Sequence, residues 1–340
     1  MKLKLLVVLA AMGMAKFSLA ACILGTDTPN YVKETLTVTQ VGGPIELSSM
    51  EPVNPLAPFA TLYSSTTSKH AQYSCLLPAG EKVSRVRPIT NGSLVLYGPA
   101  NPPIYKTKVP GIGVRFQYGA GRDLPEPFDY YNTLPNKDGN ILVNYGPATM
   151  AAMFYKMGKI ELDKVPASYQ ETVLLLGSMH VGHGQIMDIT FLDYAIGDVF
   201  LVSTPVCSVD KPINIDYGIV TEEQTKIGFS KPLNFGMTCH SDYGAYKAIA
   251  SIRSDDMSND SKSIRVTDSN NNKDSLMIEI KDASNNLVKV DGSVKLESAP
   301  ALSGQRAEYK WNAVLKRRGG SPAPAKGNFN ASAIITLDIM

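Results

Sequence analysis

Few side chains in this chain could do chemistry. Cys22, Cys75, Cys207 and Cys239 form an even set of four, and behind an export signal such cysteines meet an oxidising compartment, where disulfides form and persist. Their spacing divides them into one pair in each half, and a bridge within each half would stabilise it by roughly 3–4 kcal/mol in the chain-entropy model. His180-Val181-Gly182-His183 invites a metal reading. Residues three apart on a strand face opposite ways, the glycines suggest a loop, and no carboxylate or cysteine stands at ligand spacing, whereas a firm site wants three or four ligands. The pair therefore reads as surface or packing histidines, and no metal is expected. There is no G-x-S-x-G elbow, no H-E-x-x-H and no phosphate loop with its lysine, and Gly111-Ile112-Gly113 lacks the third glycine of a dinucleotide fingerprint. Neither an enzyme nor a cofactor is expected. Asp123, Asp129, Tyr130, Tyr131 and Asn132, with Phe128 among them, offer stacking faces and hydrogen-bond acceptors suited to a sugar or a protein ligand. Aromatic residues in a Pro-rich loop also serve merely to pack that loop, and both readings stay open.

Charge and targeting narrow the class. The net charge of +2 over 340 residues argues against nucleic acid, which needs a clustered basic surface. Lys316-Arg317-Arg318 is the dense basic cluster, and with Gly319-Gly320 behind it, it reads as a solvated loop tip. Residues 1–20 read as a secretory signal peptide, with basic Lys2 and Lys4, an apolar run from Leu5 to Met14 and a small-x-small site at Ser18-Leu19-Ala20. Leu19-Ala20-Ala21-Cys22 also fits a lipobox, which would lipidate Cys22 instead of pairing it. No later segment has the length a transmembrane helix needs.

The elements that must hold these residues read as strands. Short Val-, Ile-, Thr- and Tyr-rich runs alternate with Gly, Pro, Asn and Asp clusters, the texture of an all-β sandwich. Residues 146–155 and 222–226 are at most short turns of helix. The run Ser269-Asn270-Asn271-Asn272-Lys273-Asp274 reads as an exposed, mobile connection, and Trp311, in the alternating stretch 307–313, as a core residue. Over 327–340, Phe329, Ala331, Ala333, Ile335, Leu337 and Ile339 occupy the odd positions and mostly polar residues the even ones, so the whole stretch is expected to be a strand with one wet and one buried face. A joint near Ser203-Thr204-Pro205 divides the chain into residues 21–204 and 205–340, each expected to be a β-sandwich domain.

The second half resembles the pilin module of chaperone–usher fimbriae. The residues that carry the likeness are Cys207 opening a strand, Asn214-Ile215-Asp216-Tyr217-Gly218 after it, Leu233 to Cys239, Leu276 to Asp282 followed by Asn285-Asn286, and the closing Gly327-x-Phe329-x-Ala331 strand. The family commonly has an aromatic residue next to last, where this chain has Ile339. In the first half, Val109-Pro110-Gly111-Ile112-Gly113-Val114-Arg115-Phe116 resembles a segment of the receptor-binding domains of two-domain fimbrial tip adhesins, closest to the type 3 fimbrial adhesins.

The resemblance implies an incomplete immunoglobulin-like sandwich in the second half. Its missing strand leaves a groove walled by Phe329, Ala331, Ala333, Ile335, Leu337 and Ile339. A periplasmic chaperone fills it during export through the outer-membrane usher, and the next subunit's donor strand fills it later. The Met340 carboxylate is then available to a basic anchor on the chaperone. Because only Ala21 separates the expected cleavage site from Cys22, the chain is expected to accept a strand and donate none, at the tip of a surface fimbrium. The first half is then a receptor-binding domain for a host glycan or matrix protein. The alternative is a minor or assembly-initiating subunit that binds no receptor.

Overall fold

A computed structural model of the chain describes residues 21–24, 33–66, 71–77, 82–99, 101–119, 121–131, 140–145, 148–165, 173–183 and 186–340. Residues 1–20, expected to be a signal peptide, and Asn132 lie outside these residues. The fold is all-β with several sheets, and it divides into two compact units. Unit 1 is Met1–Ile45, Pro52–Lys159 and Val165–Val202; unit 2 is Glu46–Glu51, Ile160–Lys164 and Ser203–Met340.

Among the described residues, three sheets make up most of unit 1. One five-stranded sheet orders Glu126–Tyr131, Val83–Arg87, Val173–His183, Ile186–Gly197 and Glu34–Val38, the last two parallel. A second is centred on Met150–Lys156 and Ile112–Tyr118, and a third joins Ala21–Leu24, Ala71–Leu76 and Asn140–Tyr145. Alternation explains the second sheet: Ile112, Val114, Phe116 and Tyr118 are buried while Arg115 and Gln117 are half-buried on the other face. Pro110 and Gly111 turn the chain into that strand. Ile112 N–H donates to Val109 C=O at 3.2 Å, and Gly111 at φ 86° supplies the positive φ that the third position of a type II turn needs.

Two expectations change in unit 1. Residues 150–156 form a strand rather than a turn of helix. Their Ala and Met residues have weak strand preference, but the strand is paired on both sides and buried on both faces, so context overrides propensity. His180 and His183 lie in a strand, not a loop, and Gly182 sits at a register irregularity of the ladder, where a glycine in a strand commonly falls.

Unit 2 packs two main sheets around an aromatic and aliphatic core. The larger orders Val206–Val209, Phe229–His240, Arg306–Arg317, Leu276–Lys281 and Ile264–Val266; the smaller orders Leu296–Glu297, Ala248–Arg253 and Ile334–Ile339. Phe235 stacks on Tyr309 at 4.9 Å and meets Trp311 edge-on at 4.9 Å, a geometry favoured by ring quadrupoles. Trp311 is 3 % exposed, so it is a core residue. The one α-helix among the described residues, Glu222–Ile227, starts at a capping box in which Thr221 and Gln224 satisfy each other's backbone N–H groups.

Three readings of unit 2 are corrected. Only Ile334–Ile339 of the terminal stretch is a strand. Its partner strand ends at Arg253, beyond which Ser254 N–H bonds to Val290 C=O, so residues 327–333 form no ladder: Asn330 bridges Thr267, and Ser332 C=O accepts from Ser254 Oγ at 2.8 Å. The Ser269–Asp274 run is a hydrogen-bonded turn built on the Asp268 carboxylate, which accepts the Asn270 and Asn272 N–H groups. Lys316-Arg317-Arg318 is not a solvated tip: Lys316 pairs with Glu279 at 2.7 Å, Arg317 with Glu222 at 3.0 Å and Arg318 with Asp274 at 2.9 Å. The first two lie at the end of a strand, where neighbouring elements supply the carboxylates.

Candidate functional site

The apolar groove of unit 2 encloses about 540 Å³. One wall is the terminal run, of which Phe329, Ala331, Ala333, Ile335 and Leu337 line the groove. The other wall is residues 209–217, and the floor is Leu233, Phe235, Ile252, Ile264, Ile278, Ile280 and Ala313, from both sheets. Ile339 lies outside the lining and is 37 % exposed. The facing wall follows Cys207 and alternates in part, with Val209, Ile213, Ile215 and Tyr217 at odd positions but Lys211 among them; that partial pattern was the available signal for it.

The groove's edge is open in hydrogen bonding as well as in shape. Ile334–Ile339 is the outer strand of its sheet. Met340 and Lys247 exchange both backbone bonds, at 2.9 and 3.2 Å. In an antiparallel ladder such pairs alternate, so Asp338, Thr336 and Ile334 turn their amides toward Ala248–Arg253. Ile335, Leu337 and Ile339 therefore turn theirs to the open edge. Side-chain parity is the same, and Ile335 and Leu337 present apolar side chains to the groove and free amides to its edge together.

Both ends of the facing wall are fixed. The bridge Cys207–Cys239 joins directly opposed residues of neighbouring strands. Just beyond it, Asp210 pairs with Arg306, which also bonds Glu308 at 2.8 Å. The Arg306 guanidinium lies over Gly236, where a Cβ would meet Ala307 C=O at 2.2 Å. At the far end Asp216 accepts Gly218 N–H at 2.7 Å and the buried Tyr217 hydroxyl donates to Ala313 C=O at 2.9 Å. Burial pushes the Tyr217 phenol upward, so it stays a neutral donor.

In unit 1, Cys22 and Cys75 are disulfide-bonded and directly opposed, which engages the Cys22 sulfur within the fold. Asp123 is held by Arg115 Nε at 2.6 Å and Gln117 Nε2 at 3.0 Å. Asp129, Tyr130 and Tyr131 lie on a strand opposite Arg85, Ser84 and Val83; their side chains, and Asn132 entirely, are outside the described residues. Of these five residues, Asp123 is the one whose side chain lies among the described residues. His180 Nδ1 stands 3.3 Å from Thr190 Oγ1, and desolvation, opposed by nearby Asp193, lowers its pKa. Among the described residues no group of three or more His, Cys, Asp or Glu could hold a metal, and no helix is long and apolar enough to cross a membrane.

No family model and no curated protein matches the chain. Solved structures do, among them pilus subunits and tip adhesins. The P pilus rod subunit PapA matches at 21 % identity and a TM-score of 0.32, covering 39 % of this chain and 99 % of that one. The receptor binding domain of the plasmid-born adhesin MrkD1P of Klebsiella pneumoniae matches at 16 % identity and a TM-score of 0.33, covering 54 % and 96 %. The CupB6 tip adhesin from Pseudomonas aeruginosa matches at 14 % identity and a TM-score of 0.33, covering 94 % of this chain and 95 % of that one.

Proposed function

We propose that this chain is a fimbrial tip adhesin: unit 2 is a pilin domain that accepts a strand from another chain, and unit 1 is a receptor-binding domain carried on it. The observation that carries this reading is the open edge at Ile335, Leu337 and Ile339, beside an apolar groove. A sheet edge with unpaired amides and a bare apolar flank is unstable in water and is completed by β-strand addition. Its successive occupants would be a periplasmic chaperone, during export to an outer-membrane usher, and then the next pilus subunit. Residues 21–204 would face the surface receptor, a host glycan or matrix protein, at the fimbrium tip.

Leu337→Asp tests strand acceptance, because it sets a charge in the groove where a strand must seat. The expected outcome is loss of the protein from assembled pili and failure to co-purify with the chaperone. Normal assembly of this variant would refute strand acceptance. Receptor binding is tested separately by replacing Pro52–Lys159, which belongs wholly to unit 1, with an unrelated domain; pili that assemble but no longer adhere support the adhesin, and loss of pili supports an assembly-initiating subunit.

A further inference from the structure

The two walls of the groove meet at one end. Tyr217, from the wall after Cys207, and Phe329, from the terminal run, bring their ring centroids to 6.2 Å with planes 50° apart. Both rings are braced. Tyr217 is 7 % exposed, bonds Ala313 and has Phe229 at 6.1 Å. Phe329 is followed by Asn330, whose N–H and C=O both bond Thr267, at 3.0 and 2.9 Å. Ahead of Phe329, Ala325 N–H donates to the Asp268 carboxylate at 3.1 Å and Lys326 C=O accepts from Ser269 at 2.8 Å.

Alternation alone cannot seat a strand in one register. A slip of one residue turns every apolar side chain to the wrong face, but a slip of two restores the pattern. Something beyond the apolar stripe must choose among registers two residues apart. We propose that the Tyr217–Phe329 contact is that stop: it ends the groove at Ala331 and so fixes the register and the accepted length of an extended apolar segment from another chain. This rests on the strand-accepting reading above. A segment running further would have to separate the packed rings and break the Asn330 bridge.

The test uses the full chain and two synthetic peptides of alternating Ile and Thr. One matches the span from Ala331 to Ile339, and the other is longer by about two residues at each end. For the unsubstituted chain the two Kd values should agree within about twofold. In Phe329→Ala the longer peptide should bind about tenfold more tightly than the shorter, the gain from burying one further apolar side chain. Phe329→Leu, which keeps most of the packing, should fall between, and a cooperative melting transition retained in Trp311 fluorescence reports that each variant is folded. A longer peptide that binds the unsubstituted chain tenfold more tightly, or equal affinities in Phe329→Ala with the short peptide still bound, overturns the stop. If neither peptide binds the unsubstituted chain, strand acceptance itself fails and the stop with it.

Discussion

Asp268 shows how much of unit 2 can hang on one side chain. Its carboxylate accepts the Ala325, Asn270 and Asn272 N–H groups, the first of which ties the loop before the terminal run. These bonds, that from Ala325 foremost, hold its pKa below the ordinary carboxylate value. A lowered folded pKa contributes stability that is present above the unfolded value of about 3.9 and lost as pH falls through the folded one. The melting temperature of unit 2, followed by the fluorescence of Trp311, the single tryptophan, should therefore hold level from neutral pH to about pH 5 and fall below about pH 4. Asp268→Asn sets an amide donor against the Ala325 N–H; it should lower the melting temperature at pH 7 and flatten that acid dependence. Gly236→Ala acts through space instead. Its Cβ would sit 2.2 Å from Ala307 C=O, and overpacking of this kind should cost about 1–3 kcal/mol in a denaturant titration.

At the scale of elements, the terminal strand separates two kinds of amide. The Leu337 N–H faces the open edge while the Thr336 amide belongs to the ladder with Ser251. Leu337→Pro should leave the fold in place but abolish binding of a strand-like peptide, beyond the loss seen in a Leu337→Ala control. Thr336→Pro should instead destabilise unit 2 itself, because proline cannot donate to a ladder; equal melting temperatures for the two proline variants would refute the assignment of edges. The sequence made much of this legible. Phe329, Ala331, Ala333, Ile335 and Leu337 announce their shared face by spacing alone. The strand's true start at Ile334 was not legible, because it depends on where Ala248–Arg253 stops. Residues 150–156 misled for a similar reason: strand identity there comes from two paired neighbours and burial, not from Ala and Met. The charges of Lys316, Arg317 and Arg318 looked free in one dimension because Glu279, Glu222 and Asp274 are distant in sequence.

For the whole molecule, each unit has its own disulfide and its own buried residues, and these were foreseeable from cysteine spacing and compartment. Two cores of this size should melt as two cooperative transitions. A groove-filling peptide should raise the transition seen by Trp311 fluorescence and leave the other in place, as a ligand that binds one folded unit must. Scanning calorimetry with and without the peptide checks this, and an equal upward shift of both transitions would contradict it. Which surface of unit 1 would meet a ligand was not legible: Asp123 looked like a free acceptor in sequence, yet Arg115 and Gln117 both bond its Oδ1.

The parity of Ile335 and Leu337 has one more consequence. Because side chain and amide of each would serve the incoming strand proposed above, a partner displaced by one residue would forfeit both kinds of interaction at every position simultaneously. Occupancy by such a strand would therefore be discrete: it could advance along the groove only in jumps of two residues, about 7 Å, with a barrier between successive positions. Such a groove behaves less like a sticky surface than like a ratchet track, and exchange of one occupant for another should proceed in countable steps.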